Sequence, residues 1–137
     1  MPLIPVNVSD LPTEYSPLDE GVVYRGLCRS LVINDEPDKN GNAFLKLQAE
    51  VLEPDEWRGK RCNDNYIQIP GEVDPMMDGG QRRRALEGGV RYARMALAMG
   101  FKGQLDTDDA VGREFSFTVR NEEYQGRMMS RIADYMI

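Results

Sequence analysis

Apolar and polar residues alternate most cleanly between positions 43 and 51. Ala43, Leu45, Leu47, Ala49 and Val51 fall on one side of an extended chain, and Phe44, Lys46, Gln48 and Glu50 on the other. A period of two marks a strand with one buried and one wet face. Upstream, Gly21 to Ile33 is dense in β-branched and aromatic residues, and Gly26 in its middle suits a sharp bend in a long first strand. Between these two runs, Asn34 to Gly41 is all turn chemistry. After a polar loop with Pro54, Trp57 and Gly59, the chain returns through a third strand from Lys60 to Ile69, and the short connection predicts an antiparallel hairpin.

The period then changes. After turn-rich residues 72 to 80, Leu86, Val90, Ala93 and Leu97, with Ala96 beside them, recur at helical spacing within Arg82 to Met99, and these positions are expected to form the packed face. Gly88 and Gly89 interrupt the run and lower helix propensity by roughly 1 kcal/mol each, while Gly100 supplies the stop. Two further strands are expected, at 112 to 120 and 127 to 136, joined by Asn121 to Gly126. Phe115, Phe117 and Val119 point inward in the first of them.

Three strands, a helix and a hairpin, with a long bent first strand, give a mainly β fold. The expected architecture is a five-stranded Greek-key barrel of the OB type with one helix between strands 3 and 4; a split α+β sandwich has the same element order. Residues 1 to 20, with Pro2, Pro5, Pro12 and Pro17 among Asp10, Glu14, Asp19 and Glu20, read as an extended acidic arm, and residues 21 to 137 as a single domain.

Charge and inventory narrow the function. Seventeen basic residues against 23 acidic ones give a net charge of -6, which argues against indiscriminate coating of duplex nucleic acid but leaves room for a local basic groove. There is no histidine, and the two cysteines, Cys28 and Cys62, form no CxxC pair, so neither a zinc site nor a disulfide framework has its ligands and no metal or cofactor is expected. No run approaches the ~20 apolar residues of a membrane span and no leader-like start is present, which gives the expectation of a cytoplasmic protein. Without histidine the usual general base is missing. The carboxylate pairs Glu122-Glu123 and Asp108-Asp109 fall in expected turns, so a non-catalytic chain is expected.

What remains is the pairing of aromatic with basic residues that single-stranded nucleic acid requires, because bases stack on rings while cations hold phosphates. Phe44 and Tyr66 would share the outer surface of the second and third strands, with Lys46 beside Phe44. Trp57 stands among Arg58, Lys60 and Arg61, either as a stacking ring or as a plug over the barrel end. Tyr124 with Arg127 and Arg131 repeats the pairing in the last hairpin, and Tyr24 with Arg25 and Arg29 is a weaker instance. Arg82, Arg83 and Arg84, with Arg91 and Arg94, make the helix the most basic stretch, suited either to phosphate contact or to a solvated face. Leu97, Leu45, Leu47, Phe115, Phe117 and Ile132 read as plain core.

The run from Gly21 to Tyr24, the A-F-L-K-L-Q-A-E-V strand, W-R-G-K-R leading to D-N-Y at 64 to 66, the helix ending in A-M-G-F, then D-T-D-D-A-V-G-R-E-F, E-Y-Q-G-R and I-A-D-Y resemble one family. It comprises the bacteriophage-encoded OB-fold single-stranded DNA-binding proteins of replication and recombination modules. The resemblance runs from Leu11 onward. It implies sequence-tolerant binding of single strands during phage replication or recombination, beside a recombinase, helicase or nuclease, in the infected cell's cytoplasm; isolated OB barrels frequently pair or line up along a strand, so a homo-oligomer is left open. The chain departs from many single-strand binders in closing on Asp134 to Ile137 rather than on an acidic tail. A rival reading of the same charge balance is a non-catalytic protein-interaction module, an accessory factor or inhibitor with an acidic docking surface.

Overall fold

The bend expected at Gly26 is where the architecture starts. In the computed structural model, which describes residues 2–12, 16–34, 43–70 and 75–137, strand β1 (Tyr24–Ile33) pairs antiparallel with β2 (Phe44–Glu53) along its length and with β4 (Glu114–Tyr124) through Tyr24 to Leu27. Its pairing with β2 shifts register at Arg25/Gly26 and again at Cys28/Ser30. A Cβ on Gly26 would lie 2.5 Å from the Phe117 ring, so only glycine allows β1 to lie this close to the core. Gly26→Ala is expected to destabilise the protein by ~1–3 kcal/mol through overpacking against a ring that is fully buried, and urea denaturation measures it.

Strand β3 (Arg61–Gln68) returns beside β2, and β5 (Arg127–Met136) pairs antiparallel with β4 and parallel with β3 at Asn63↔Arg131. The sheet thereby closes on itself in the order β1-β2-β3-β5-β4. Inside lies one core that includes Tyr24, Leu31, Leu45, Leu47, Val51, Ile67, Phe115, Phe117, Ile132 and Tyr135. The inward sides expected for β2 and β4 are the buried ones.

Four expectations are refined or corrected. The helix expected between strands 3 and 4 is present, and Gly88-Gly89 divide it into α1 (Gly79–Glu87) and α2 (Val90–Ala98). Close approach explains the glycines: a Cβ at Gly89 would sit 2.9 Å from Pro70. Second, the expected helical core face points outward. Leu86, Val90 and Leu97 are 60%, 51% and 47% exposed; of the expected positions Ala96 is buried, together with Met95 and Met99. Leu97 is therefore not core. The helix carries two apolar stripes, and Arg91 and Arg94, which anchor it to β5, select the second.

Third, the last hairpin is longer than expected. Both strands continue to a two-residue turn at Gln125-Gly126, where both φ values are positive (50° and 76°), so Glu122 and Glu123 lie in β4 rather than in a turn. Asp108 and Asp109 lie in the short helix α3 (Thr107–Ala110). Fourth, the arm does not end at residue 20. Leu18 is 1% exposed and belongs to the core. Its N–H donates to Ser130 Oγ (2.7 Å), and its carbonyl accepts from Asn121 Nδ2 (2.8 Å).

The turn expected at 34 to 41 lies, after Asn34, outside the described residues, as do Glu14 of the arm and residues 71 to 74 of the loop before α1. Among the described residues, no helix is long and apolar enough to cross a membrane.

Candidate nucleic-acid interface

Strand β3 carries the feature that positions the site. Its pairing with β2 runs Leu45↔Ile67 and then Leu47↔Asp64, so two residues of β2 face three of β3 and a bulge falls at Asn65-Tyr66. Cys62 and Asp64 point inward on one side of the bulge and Ile67 on the other, while Tyr66 is thrown outward, 73% exposed. Phe44 stands beside it, the two rings meeting edge to face with centroids 6.4 Å apart and planes at 82°. The expected aromatic pair on the outer surface of β2 and β3 is present, with Lys46 exposed next to it.

Beyond Tyr66, β3 and β5 diverge and leave a groove of about 330 Å³. Asp64, Asn65 and Tyr66 line it from β3, Arg91 from α2, Arg120 and Glu122 from β4, and Arg131 and Ile132 from β5. Its floor is a buried polar knot. Asp64, 6% exposed, accepts from the Tyr135 hydroxyl (2.7 Å) and from Arg91 Nε (2.7 Å). Arg91 also donates to the carbonyls of Ile132 (2.5 Å) and Ala133 (2.9 Å). Arg94 is held similarly, on Asp134 (2.7 Å) and the Tyr135 carbonyl (2.8 Å), and this bond keeps the Asp134 carboxyl below its usual range. Arg91 and Arg94, read from the sequence as part of a basic strip, therefore seat α2 on the sheet.

The wall of the groove is different. Arg120, its side chain 65% exposed, and Arg131, 26% exposed, both contact the Glu122 carboxylate, at 2.6 and 3.1 Å. Two guanidinium groups beside the groove thus share one carboxylate, and with five N–H donors each they have more than one carboxylate takes up, which is an arrangement a phosphate oxygen can use. Strand alternation extends the strip. Arg120, Glu122 and Tyr124 of β4 share one side with their partners Arg131, Met129 and Arg127 of β5, so Tyr124 (56% exposed) and Arg127 stand on the groove's side of the hairpin, near its tip.

Other expected residues are not part of this strip. Phe44↔Gln68 is at one end of the β2–β3 ladder and Glu50↔Arg61 at the other, so Arg61, Lys60, Arg58 and Trp57 lie roughly 20 Å of strand away. Trp57 is half-buried against the core, its indole N–H is buried without a hydrogen-bond partner, and Lys60 lies over its ring at 5.8 Å. Half-buried, it is not an open stacking platform. Lys60 also donates to the Ser16 carbonyl. Arg82, Arg83 and Arg84 are exposed on α1, with Arg83 paired to Glu87 at 3.4 Å.

Tyr24 is fully buried and exchanges hydrogen bonds with the Asp19 backbone, while Arg25 and Arg29 pair with Glu114 and Glu50. Neither thiol is reactive surface: burial pushes Cys28 up to about 11 and Cys62 up to about 12. Met95 and Met99 are buried in the core, whereas Met76, Met128 and Met129 are exposed.

Arg120 was legible as a wet-face residue of an alternating strand. Asp64 and Glu122 had no sequence signal, one hidden by a bulge and the other placed in a supposed turn. No protein-family model matches the chain, and no curated protein sequence matches it.

Proposed function

We propose that this protein binds single-stranded DNA without strong sequence preference and acts in DNA replication or recombination, as the resemblance to phage single-strand binders implies. The observation that carries the reading is the strip that runs from the Phe44–Tyr66 pair into the groove walled by Arg120 and Arg131 and on to Tyr124 and Arg127. Rings that stack bases alternate along it with guanidinium groups that hold phosphates. The closed five-stranded sheet with helices between β3 and β4 supports an OB-type barrel, a fold whose β2–β3 surface and last hairpin serve oligonucleotides.

In this mechanism, bases leave solvent to stack on Tyr66 and Phe44, and the backbone tracks past Arg131 and Arg120. Glu122 yields the arginines as a phosphate arrives, one anion replacing another. Recognition by ring faces discriminates little among bases, and a duplex, whose bases are already stacked, offers none. The experiment is fluorescence anisotropy of a labelled ~30-nucleotide oligo-dT against the purified protein at low and high salt, with an equal-length duplex as control. Binding to the single strand that weakens with salt and largely spares the duplex is expected. Absence of binding at low salt would overturn the reading and turn attention to the acidic surface, including Asp106, Asp108 and Asp109, as a docking site for a basic protein.

A further inference from the structure

Among the described residues, two apolar surfaces have no cover. One is the outer stripe of the helices: Leu86, Val90, Ala93 and Leu97, spaced four, three and four residues apart, all exposed. On α1 it is flanked by Arg82, Arg83 and Arg84 against the single acid Glu87. The other is the segment before the barrel. Leu3, Ile4, Val6, Val8 and Leu11 are 94%, 81%, 53%, 78% and 53% exposed. That segment is ordered locally by a 3-10 turn at Val8–Asp10 whose N-cap Asn7 side chain accepts from the Ser9 N–H.

Through residue 14 the segment contains no lysine or arginine and carries Asp10 and Glu14. One surface is apolar and basic, the other apolar and acidic. Exposed apolar groups of this size, gathered in two patches, are the mark of contact surfaces rather than of ordinary solvent-facing side chains.

We infer that residues 2–12 of one copy dock along the α1–α2 stripe of a second copy. The dimensions agree: Leu86 to Leu97 spans about 16 Å at ~1.5 Å per helical residue, and Leu3 to Val8 can extend to about 17 Å. Apolar residues of the segment cover the leucines and Val90, while its acidic end lies toward Arg82 to Arg84. The contact joins two different patches, so of two joined copies one keeps a free stripe and the other a free segment. Such a head-to-tail interface does not close on itself at two copies and adds further ones. Nothing in this depends on DNA.

The test is sedimentation velocity of the full chain without DNA over a range of concentrations, together with two variants. Ile4→Asp/Val6→Asp spoils the segment, and Leu86→Asp/Leu97→Asp spoils the stripe; all four positions are exposed, so folding is not at stake. The unmodified chain is expected to grow beyond dimers with concentration, and each variant alone to remain monomeric. The two variants mixed carry one intact stripe and one intact segment, so they should form a one-to-one dimer and nothing larger. A fluorescent peptide of residues 2–12 should bind the segment variant and lose at least ~10-fold in affinity for the stripe variant, since a buried aspartate without a partner is costly.

An unmodified chain that stays monomeric at every concentration overturns the inference, whether or not the segment folds onto its own helices. Association that survives the segment substitutions overturns it too, and would point to stripe against stripe. Because these measurements contain no DNA, they can fail while single-strand binding holds, and the converse.

Discussion

Tyr66→Ala is expected to weaken oligo-dT binding by roughly ten- to a hundredfold, because one base stacked on an aromatic ring is worth ~1–3 kcal/mol. Tyr66 is 73% exposed and supports little of the core, so the melting temperature should barely change, which separates lost contact from lost structure. Phe44→Ala should cost less by itself, since Phe44 is half-buried and meets Tyr66 edge-on. The double variant should lose less than the sum of the two, as expected for residues in contact. Arg58→Ala, at the far end of the ladder, is the control and should leave affinity nearly unchanged. Wild-type affinity in Tyr66→Ala would remove the groove from the proposed function.

Asp64→Ala is expected to have the largest effect on folding, a loss of about 3 kcal/mol in chemical denaturation, near the lower end of what breaking a buried ion pair costs. The substitution strands two partners at once: the Tyr135 hydroxyl inside the closed sheet and the Arg91 guanidinium at its seam. Asp64→Asn keeps an acceptor for the hydroxyl and should fall between the alanine variant and the wild type. An alanine variant that unfolds at the wild-type denaturant concentration would show that the knot contributes nothing.

The same knot sets a pH dependence. Burial and the Asp64 carboxylate raise the Tyr135 phenol above the ordinary 10.0, so folding holds it neutral and its contribution is present below that value. It is lost as pH rises, because the unfolded chain then releases a proton that the folded one keeps. Asp134 acts in the opposite sense. Its lowered carboxyl contributes above the unfolded carboxylate range, and the contribution is lost as pH falls.

Strands announced themselves wherever period-two alternation was long, and the inward residues of β2 and β4 were legible residue by residue. The helix was legible as a helix but not in its orientation. With apolar residues at 86, 90, 93, 97 and at 92, 95, 96, 99, spacing alone does not say which stripe faces the sheet; the arginine anchors decide it, and their partners on β5 are 40 or more residues away in sequence. Leu18 was hidden among prolines and acids, where nothing local signals burial. The aromatic pair of the groove was visible because alternation carries across a hairpin. The arginine pair was not, because it depends on which strand closes the sheet, a fact of topology and not of local pattern.

Among the described residues, ladder pairing between β3 and β5 is confined to Asn63↔Arg131, and next to it the carbonyls of Ile132 and Ala133 are taken by Arg91 rather than by the amides of β3. A side chain from α2 thus works as a spacer in the wall of the sheet, and its length fixes how far the two strands stand apart. The same short helix shows its other flank to solvent. Arg91 and Arg94 fasten that helix to β5, so the mouth of the groove and the solvent-facing apolar stripe are opposite sides of one nine-residue element.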